Sequence, residues 1–141
     1  MFHIRKYEDR LTSWNQFRQT LETEDDPIQA SLDFYNQAPM VSINTDPWDE
    51  ATWPDPWELV FENQYCSFCS VLGVCYSLQL TERFKESNFE IHIGIDRNNS
   101  RTVYILKIDN IVISWNDGDA NITELPTTLQ TEKIYAMPTL Q

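Results

Sequence analysis

Residues 65–80 read YCSFCSVLGVCYSLQL, a run of sixteen without a single charge. Phe68, Val71, Leu72, Cys75 and Leu78 recur at helical spacing, and Tyr65, Cys69, Tyr76 and Leu80 widen the stripe over most of the circumference. A helix this apolar has to be enclosed by its own domain. Beside the large residues runs a stripe of small ones, Ser67, Ser70, Gly73 and Ser77, where another backbone or a sheet can approach closely. The rest of the chain is expected to be built around this helix.

The 141 residues suffice for one domain, residues 1–141, burying roughly two-thirds of its unfolded surface. Aromatic residues make up 13%, enough for a packed core, and the three glycines argue against disorder. Ten basic residues face twenty-two acidic ones, a net charge of −12, and the basic ones are scattered. That balance disfavours both nucleic acid and anionic membrane as partners, because each needs a positive surface. It fits solubility, a basic protein partner or mimicry of nucleic acid. Residues 1–10 lack the apolar run of a signal peptide, and the 65–80 stretch is about four residues short of a bilayer span. A reducing cytoplasm is therefore expected, and three cysteines, an odd number, fit free thiols there.

Three parts follow one another along the chain. In residues 1–45, Leu11, Trp14, Phe17 and Leu21 mark one face of a helix over 7–22. Asp26 and Pro27 then cap a second helix that turns Ile28, Leu32 and Tyr35 inward. Met40-Val41-Ser42-Ile43 reads as a short strand. In residues 46–86, Asp46-Pro47-Trp48-Asp49 is followed nine residues later by Asp55-Pro56-Trp57-Glu58. Each has an N-cap acid, proline at the first helical position and an acid at the third, so a short helical turn should precede a true helix from Pro56. That helix bends or breaks near Asn63-Gln64. In residues 87–141 the period changes to two. Phe89, Ile91, Ile93 and Ile95 alternate with Glu90, His92 and Gly94, a half-buried strand. A polar loop over 96–101 leads to strand 102–108, Asp109-Asn110 is a tight turn, and 111–115 is a third strand. Residues 133–137 form a last strand or docked extension. The expected fold is α+β: N-terminal helices and the buried central helix packed on a three- to four-stranded antiparallel meander.

Four groups of residues could carry chemistry. Cys66 or Cys69, near the start of the central helix, followed by His92 and Asp109, have the chain order of transglutaminase-like thiol hydrolases. Register opposes this grouping. A hairpin closed by 96–101 pairs His92 with Ile105, leaving Asp109 four residues further along, roughly 13 Å away. The three cysteines are then best read as small buried apolar residues. A metal held by Cys66-x-x-Cys69 lacks further ligands, since Cys75 lies near the opposite side and only His3 and His92 remain. Asp117, Asp119 and Asn121 alternate like the start of a calcium loop. Ile122 replaces its glycine and Thr128 its closing glutamate, which leaves a solvated turn as the default. Trp48, Trp53 and Trp57 form the fourth group: a lid over the central helix whose outer face, with Tyr135 and Met137, can anchor a protein partner. No phosphate loop, serine elbow or paired-histidine helix occurs, and no cofactor is expected.

The run DPWDEATWPDPWELVFENQYCSFCSVLGVCYSLQL (46–80) and the closing KIYAMPTLQ (133–141) resemble small uncharacterised proteins of large contractile-tailed phages, notably those infecting cyanobacteria. The shared pattern is Trp-Pro-x-Pro-Trp-Glu leading into a Cys-bearing apolar helix, a short meander and a final Ile-Tyr-x-Met-Pro, over residues 46–141. The resemblance carries no catalytic residues. It implies a virion component of neck, tail or baseplate, or an early host-directed protein. The first expectation is thus a non-enzymatic structural or adaptor subunit, made in the host cytoplasm and packed with other protein subunits in the virion. The alternatives are an acidic inhibitor, as a nucleic-acid mimic or immunity-type protein, and the thiol hydrolase.

Overall fold

The computed structural model describes residues 1–41, 45–116, 119–122 and 127–140, with the backbone alone at Asn116 and Asp119. Among these are four α-helices and a five-stranded antiparallel sheet, an α+β architecture with more strands than the three or four expected. The chain gathers into two compact units, Met1–Lys85 and Glu86–Leu140, and the division falls where the hydrophobic period changes from helical to alternating.

The first unit holds α1 (Tyr7–Leu21), α2 (Pro27–Tyr35), a 3₁₀ turn (Glu50–Thr52), α3 (Pro56–Glu62) and α4 (Ser67–Gln79). α2 begins as expected, with Pro27 in its first turn and the Asp26 carboxylate accepting from the Gln29 amide at 3.1 Å. α3 has the full reciprocal box, Asp55 accepting from the Glu58 amide while Glu58 accepts from that of Asp55. Asn63 ends it at φ 51°, a left-handed cap. The upstream Asp-Pro-Trp differs. Asp46 accepts from Trp48 two residues on, closing a turn, and Asp49 caps the 3₁₀ turn through the Ala51 amide. Met40 makes an isolated parallel bridge with Tyr65, and Ser42 and Ile43 of the expected strand lie outside the described residues.

α4 starts two residues later than its apolar run, and every residue from Phe68 to Gln79 is buried. Its small-residue stripe receives side chains rather than a backbone. A Cβ on Gly73 would stand 2.3 Å from Tyr35 Cε1, so the close approach of α2 requires glycine there. One turn on, Ser77 Oγ accepts from Trp14 Nε1 at 2.9 Å and shares a 3.0 Å hydrogen bond with the Tyr35 hydroxyl. α1, α2 and α4 meet at that oxygen.

Two charged side chains tie helix ends together. Arg10 is buried and donates to four carbonyls: Ile4 and Arg5 ahead of α1, and Val60 and Phe61 in the last turn of α3. Helix C-termini leave such carbonyls without partners and carry partial negative charge, so a guanidinium suits them. Glu22, beyond α1, accepts from the amides of Glu82 and Arg83, while Arg83 donates back to the carbonyls of Leu21 and Glu24.

The second unit is the sheet: β1 (Phe89–Asp96), β2 (Arg101–Ile108), β3 (Ile111–Asn116), β4 (Asp119–Ile122) and β5 (Leu129–Ala136), in spatial order β4-β3-β2-β1-β5. Ile95 pairs with Thr102 and His92 with Ile105, the register expected from the loop. Asp109 supplies the positive φ of the β2–β3 turn and accepts from the Asn88 amide at 2.9 Å. β1 is an interior strand, paired with β2 on one side and with the returning β5 on the other, and it is buried on both faces over Ile91–Gly94 rather than half-buried. The register slips between Ile93 and Gly94, leaving Glu132 as the extra residue of a bulge. There Leu129 and the Gln130 carbonyl come so near that a Cβ on Gly94 would lie 2.7 and 2.8 Å from them.

Gly73→Ala should lower the unfolding free energy by about 1–3 kcal/mol through overpacking against Tyr35. Ser77→Ala should cost a similar amount, roughly 1–3 kcal/mol, by stranding the Trp14 N–H and the Tyr35 hydroxyl. Urea unfolding of both variants measures this, and wild-type stability in both would show that the contact does not set the packing.

Candidate functional site

Two features of the helical unit present chemistry at the surface. The first is the N-terminus of α4. Cys66 is its N-cap, in extended conformation and half-buried, while Cys69 lies one turn on and is buried. The two thiols are coupled. Cys69 hydrogen-bonds to Cys66, and with the amides of Cys69, Phe68 and Cys66 this draws the Cys66 thiol down to about 6, against the opposing effect of partial burial. The neutral Cys66 side chain completes no cap hydrogen bond, so the amides act chiefly on the thiolate. Cys69 moves the other way, because it must keep the proton it donates and because it is buried. The Cys69 S–H also reaches Thr45 Oγ1 at 3.6 Å. Cys75 is fully enclosed, which pushes its thiol up.

The second feature is the outer face of α3. Trp57 and Phe61, one turn apart, are 47% and 63% exposed, with the exposed acids Glu58 and Glu62 beside them. Neither ring is loose. Trp57 stands edge-on to Trp14 at 5.5 Å and Phe61 edge-on to Tyr7 at 5.2 Å. Trp48 is also exposed, at 46%. Trp53 turns inward instead: its Nε1 donates to the Asp46 carbonyl and its ring lies 4.9 Å from Phe68 of α4. Pro54 beside it accepts from the Tyr76 hydroxyl at 2.7 Å. The tryptophan segment is thus part lid and part surface.

The remaining candidates are placed in the sheet unit. His92 is buried beside Glu90, its Nε2 3.3 Å from Oε1. Asp109 is held at the β2–β3 turn, four residues beyond the partner of His92, and serves the Asn88 amide. The sheet does not bring the two together. Tyr135 is buried with Lys133 Nζ 5.5 Å over its ring, and Met137 is half-buried, its amide bonded to the Phe89 carbonyl. Of the calcium candidates, Asp117 lies outside the described residues, while Asp119 and Asn121 belong to β4 and pair with β3. Among the described residues no three carboxylate, imidazole or thiol groups cluster to hold a metal, and no helix is long and apolar enough to cross a membrane.

The four-residue spacing of Trp57 and Phe61 was not singled out in the sequence, and the three-residue spacing of Cys66 and Cys69 was weighed there only as a metal pair. Both signals are present in the residue numbers. No protein family, curated protein or solved structure matches the chain.

The thiol asymmetry has a direct readout. Alkylation of native Cys66 by iodoacetamide should rise through a midpoint near pH 6 and level off above it, while Cys75 stays unlabelled. Cys69→Ala removes the donor and should move that midpoint upward. A midpoint near the usual thiol value of about 8.5 in the native protein would refute the pairing.

Proposed function

We propose that the chain is a non-enzymatic adaptor subunit that binds another protein through the Trp57–Phe61 ridge of α3. The observation that carries this is the exposure of two large rings on one helical face while both are braced from behind by other aromatics. Braced rings lose little freedom on binding, and tryptophan is among the commonest anchors of protein contacts. The net charge of −12 and the adjacent Glu58 and Glu62 define the partner: an apolar groove bordered by lysine or arginine. The resemblance to small proteins of contractile-tailed phages supplies the setting, a particle neck, tail or baseplate reached after synthesis in the host cytoplasm.

The same charge favours a second reading, an acidic inhibitor of a basic protein. The two differ in salt dependence, because apolar contact resists salt and charge pairing at a surface does not.

Purified particles examined by mass spectrometry should contain the chain, and the double variant Trp57→Ala/Phe61→Ala should be depleted from them. Loss of two anchoring rings is expected to weaken binding by about 2 kcal/mol or more, some thirtyfold. Unfolding should change less than binding, since about half of each residue already lies in solvent in the free protein. Absence of the chain from particles, with tight but strongly salt-sensitive binding to a basic protein, would establish the inhibitor instead.

A further inference from the structure

We infer that Cys66 and Cys69 form a redox dithiol that exchanges with low-molecular-weight disulfides of the glutathione type, cycling between two thiols and one disulfide within the first turn of α4. Three features of the site lead there, and none involves the α3 ridge. Residues three apart on a helix have Cα atoms about 5 Å apart, inside the range of roughly 4.4–6.8 Å that a disulfide spans. The two thiols differ in access: Cys66 is half-buried at the helix N-cap, and Cys69 is sealed behind it. An incoming disulfide therefore meets one sulfur first. Finally, the sulfurs already interact, and Cys69 gives its hydrogen bond to Cys66 when Cys66 ionises.

The steps balance without a metal or further cofactor. The Cys66 thiolate attacks one sulfur of glutathione disulfide; the S–S bond breaks and glutathione thiolate leaves with the electron pair. Cys69 attacks Cys66 in the mixed disulfide, its proton passing to the second glutathione sulfur as that thiol is expelled. The protein is oxidised by two electrons and glutathione disulfide is reduced to two thiols; excess reduced glutathione runs both steps backward. The depressed Cys66 thiol is a good leaving group in the reverse direction, which keeps the cycle reversible. Closing a bond between residues already one turn apart constrains little of the fold. The contact of Cys69 Sγ with Thr45 Oγ1 is exchanged for the new bond. Cys75, fully enclosed, takes no part.

The test uses the whole protein in buffers of graded oxidised and reduced glutathione, quenched with acid and mapped by mass spectrometry. Wild type and Cys75→Ser should both accumulate a Cys66–Cys69 disulfide that dithiothreitol removes. Cys69→Ser should instead accumulate a stable glutathione adduct at Cys66, and Cys66→Ser should lose adduct and disulfide alike. Serine fits both positions sterically and is a favoured N-cap, and circular dichroism checks that each variant is folded. Two results would overturn the inference: wild type that keeps both thiols in excess oxidised glutathione, or wild type that carries glutathione on Cys66 without closing the ring. Because the ridge is untouched, the W57A/F61A protein should cycle like wild type even where it has lost its partner.

Discussion

The contact between Gly73 and Tyr35 is the constraint on which the helical unit depends. α4 is apolar almost all round, so pattern alone cannot say which of its faces meets which neighbour. The missing side chain at Gly73 decides this by admitting a ring where any other residue would collide with it. Burying the tyrosine puts its hydroxyl out of reach of water, and burial pushes that group up to about 12. Ser77, four residues on and so on the same face, supplies the hydrogen bond and takes another from Trp14. Three helices thereby register on one oxygen. Phe2, Phe17, Phe34 and Tyr65 stack around the same tyrosine, Phe17 and Phe34 face to face at 3.7 Å, and turn that polar point into the middle of an aromatic cluster.

Charge works differently here from what an acidic chain suggests. The Lys85–Glu82 pair is exposed, and exposed pairs contribute little. The charged groups that organise the unit, Arg10 and Glu22, are bonded to backbone instead. Arg10 faces carbonyls that the end of α3 leaves unsatisfied, and Glu22 faces the amides of the turn that follows α4. A buried guanidinium with four carbonyl partners has four of its five donors engaged without a carboxylate, and that geometry depends on both helix ends being present. The interaction is therefore long-range in sequence, joining residue 10 to residues 60 and 61.

Local chemistry was legible in the sequence, and distant closure was not. Asp26-Pro27 and Asp55-Pro56-Trp57-Glu58 act within three residues, and a six-residue loop sets its own hairpin register, so helix starts and the β1–β2 pairing could be worked out from spacing. Asp46-Pro47-Trp48-Asp49 differs from the second motif only in its last acid yet forms a turn. Its Trp53 is tied back to the Asp46 carbonyl and Thr52 binds the same residue, contacts that composition does not reveal. β4 was missed because Asp119-Ala120-Asn121-Ile122 has poor strand character by itself and pairs only because β3 lies beside it. The length of β5 was missed for a related reason. Most of its side chains are exposed, so no apolar alternation marks it, and its place is set by the edge of β1 and the space over Gly94. At the candidate site, the cysteine spacing was visible, but the split between an accessible and a sealed thiol arises from packing around the first turn of α4.

The ridge of α3 and the core of α4 are mechanically one object. α3 has only seven residues, too few to persist as a helix in water by propensity. Its start is held by the reciprocal box and proline, and its end by Arg10 and the left-handed Asn63. Its exposed ring Trp57 rests on Trp14, and Trp14 is pinned to Ser77 of α4. The direction in which the ridge points is thus inherited from the same oxygen that positions α2. Trp57 bears, through Trp14, on the buried junction of α1, α2 and α4, so this surface can be rigid although the helix bearing it is short, as the proposed binding role requires. That rigidity separates an anchoring ridge from aromatic residues left outside merely because the core had no room for them.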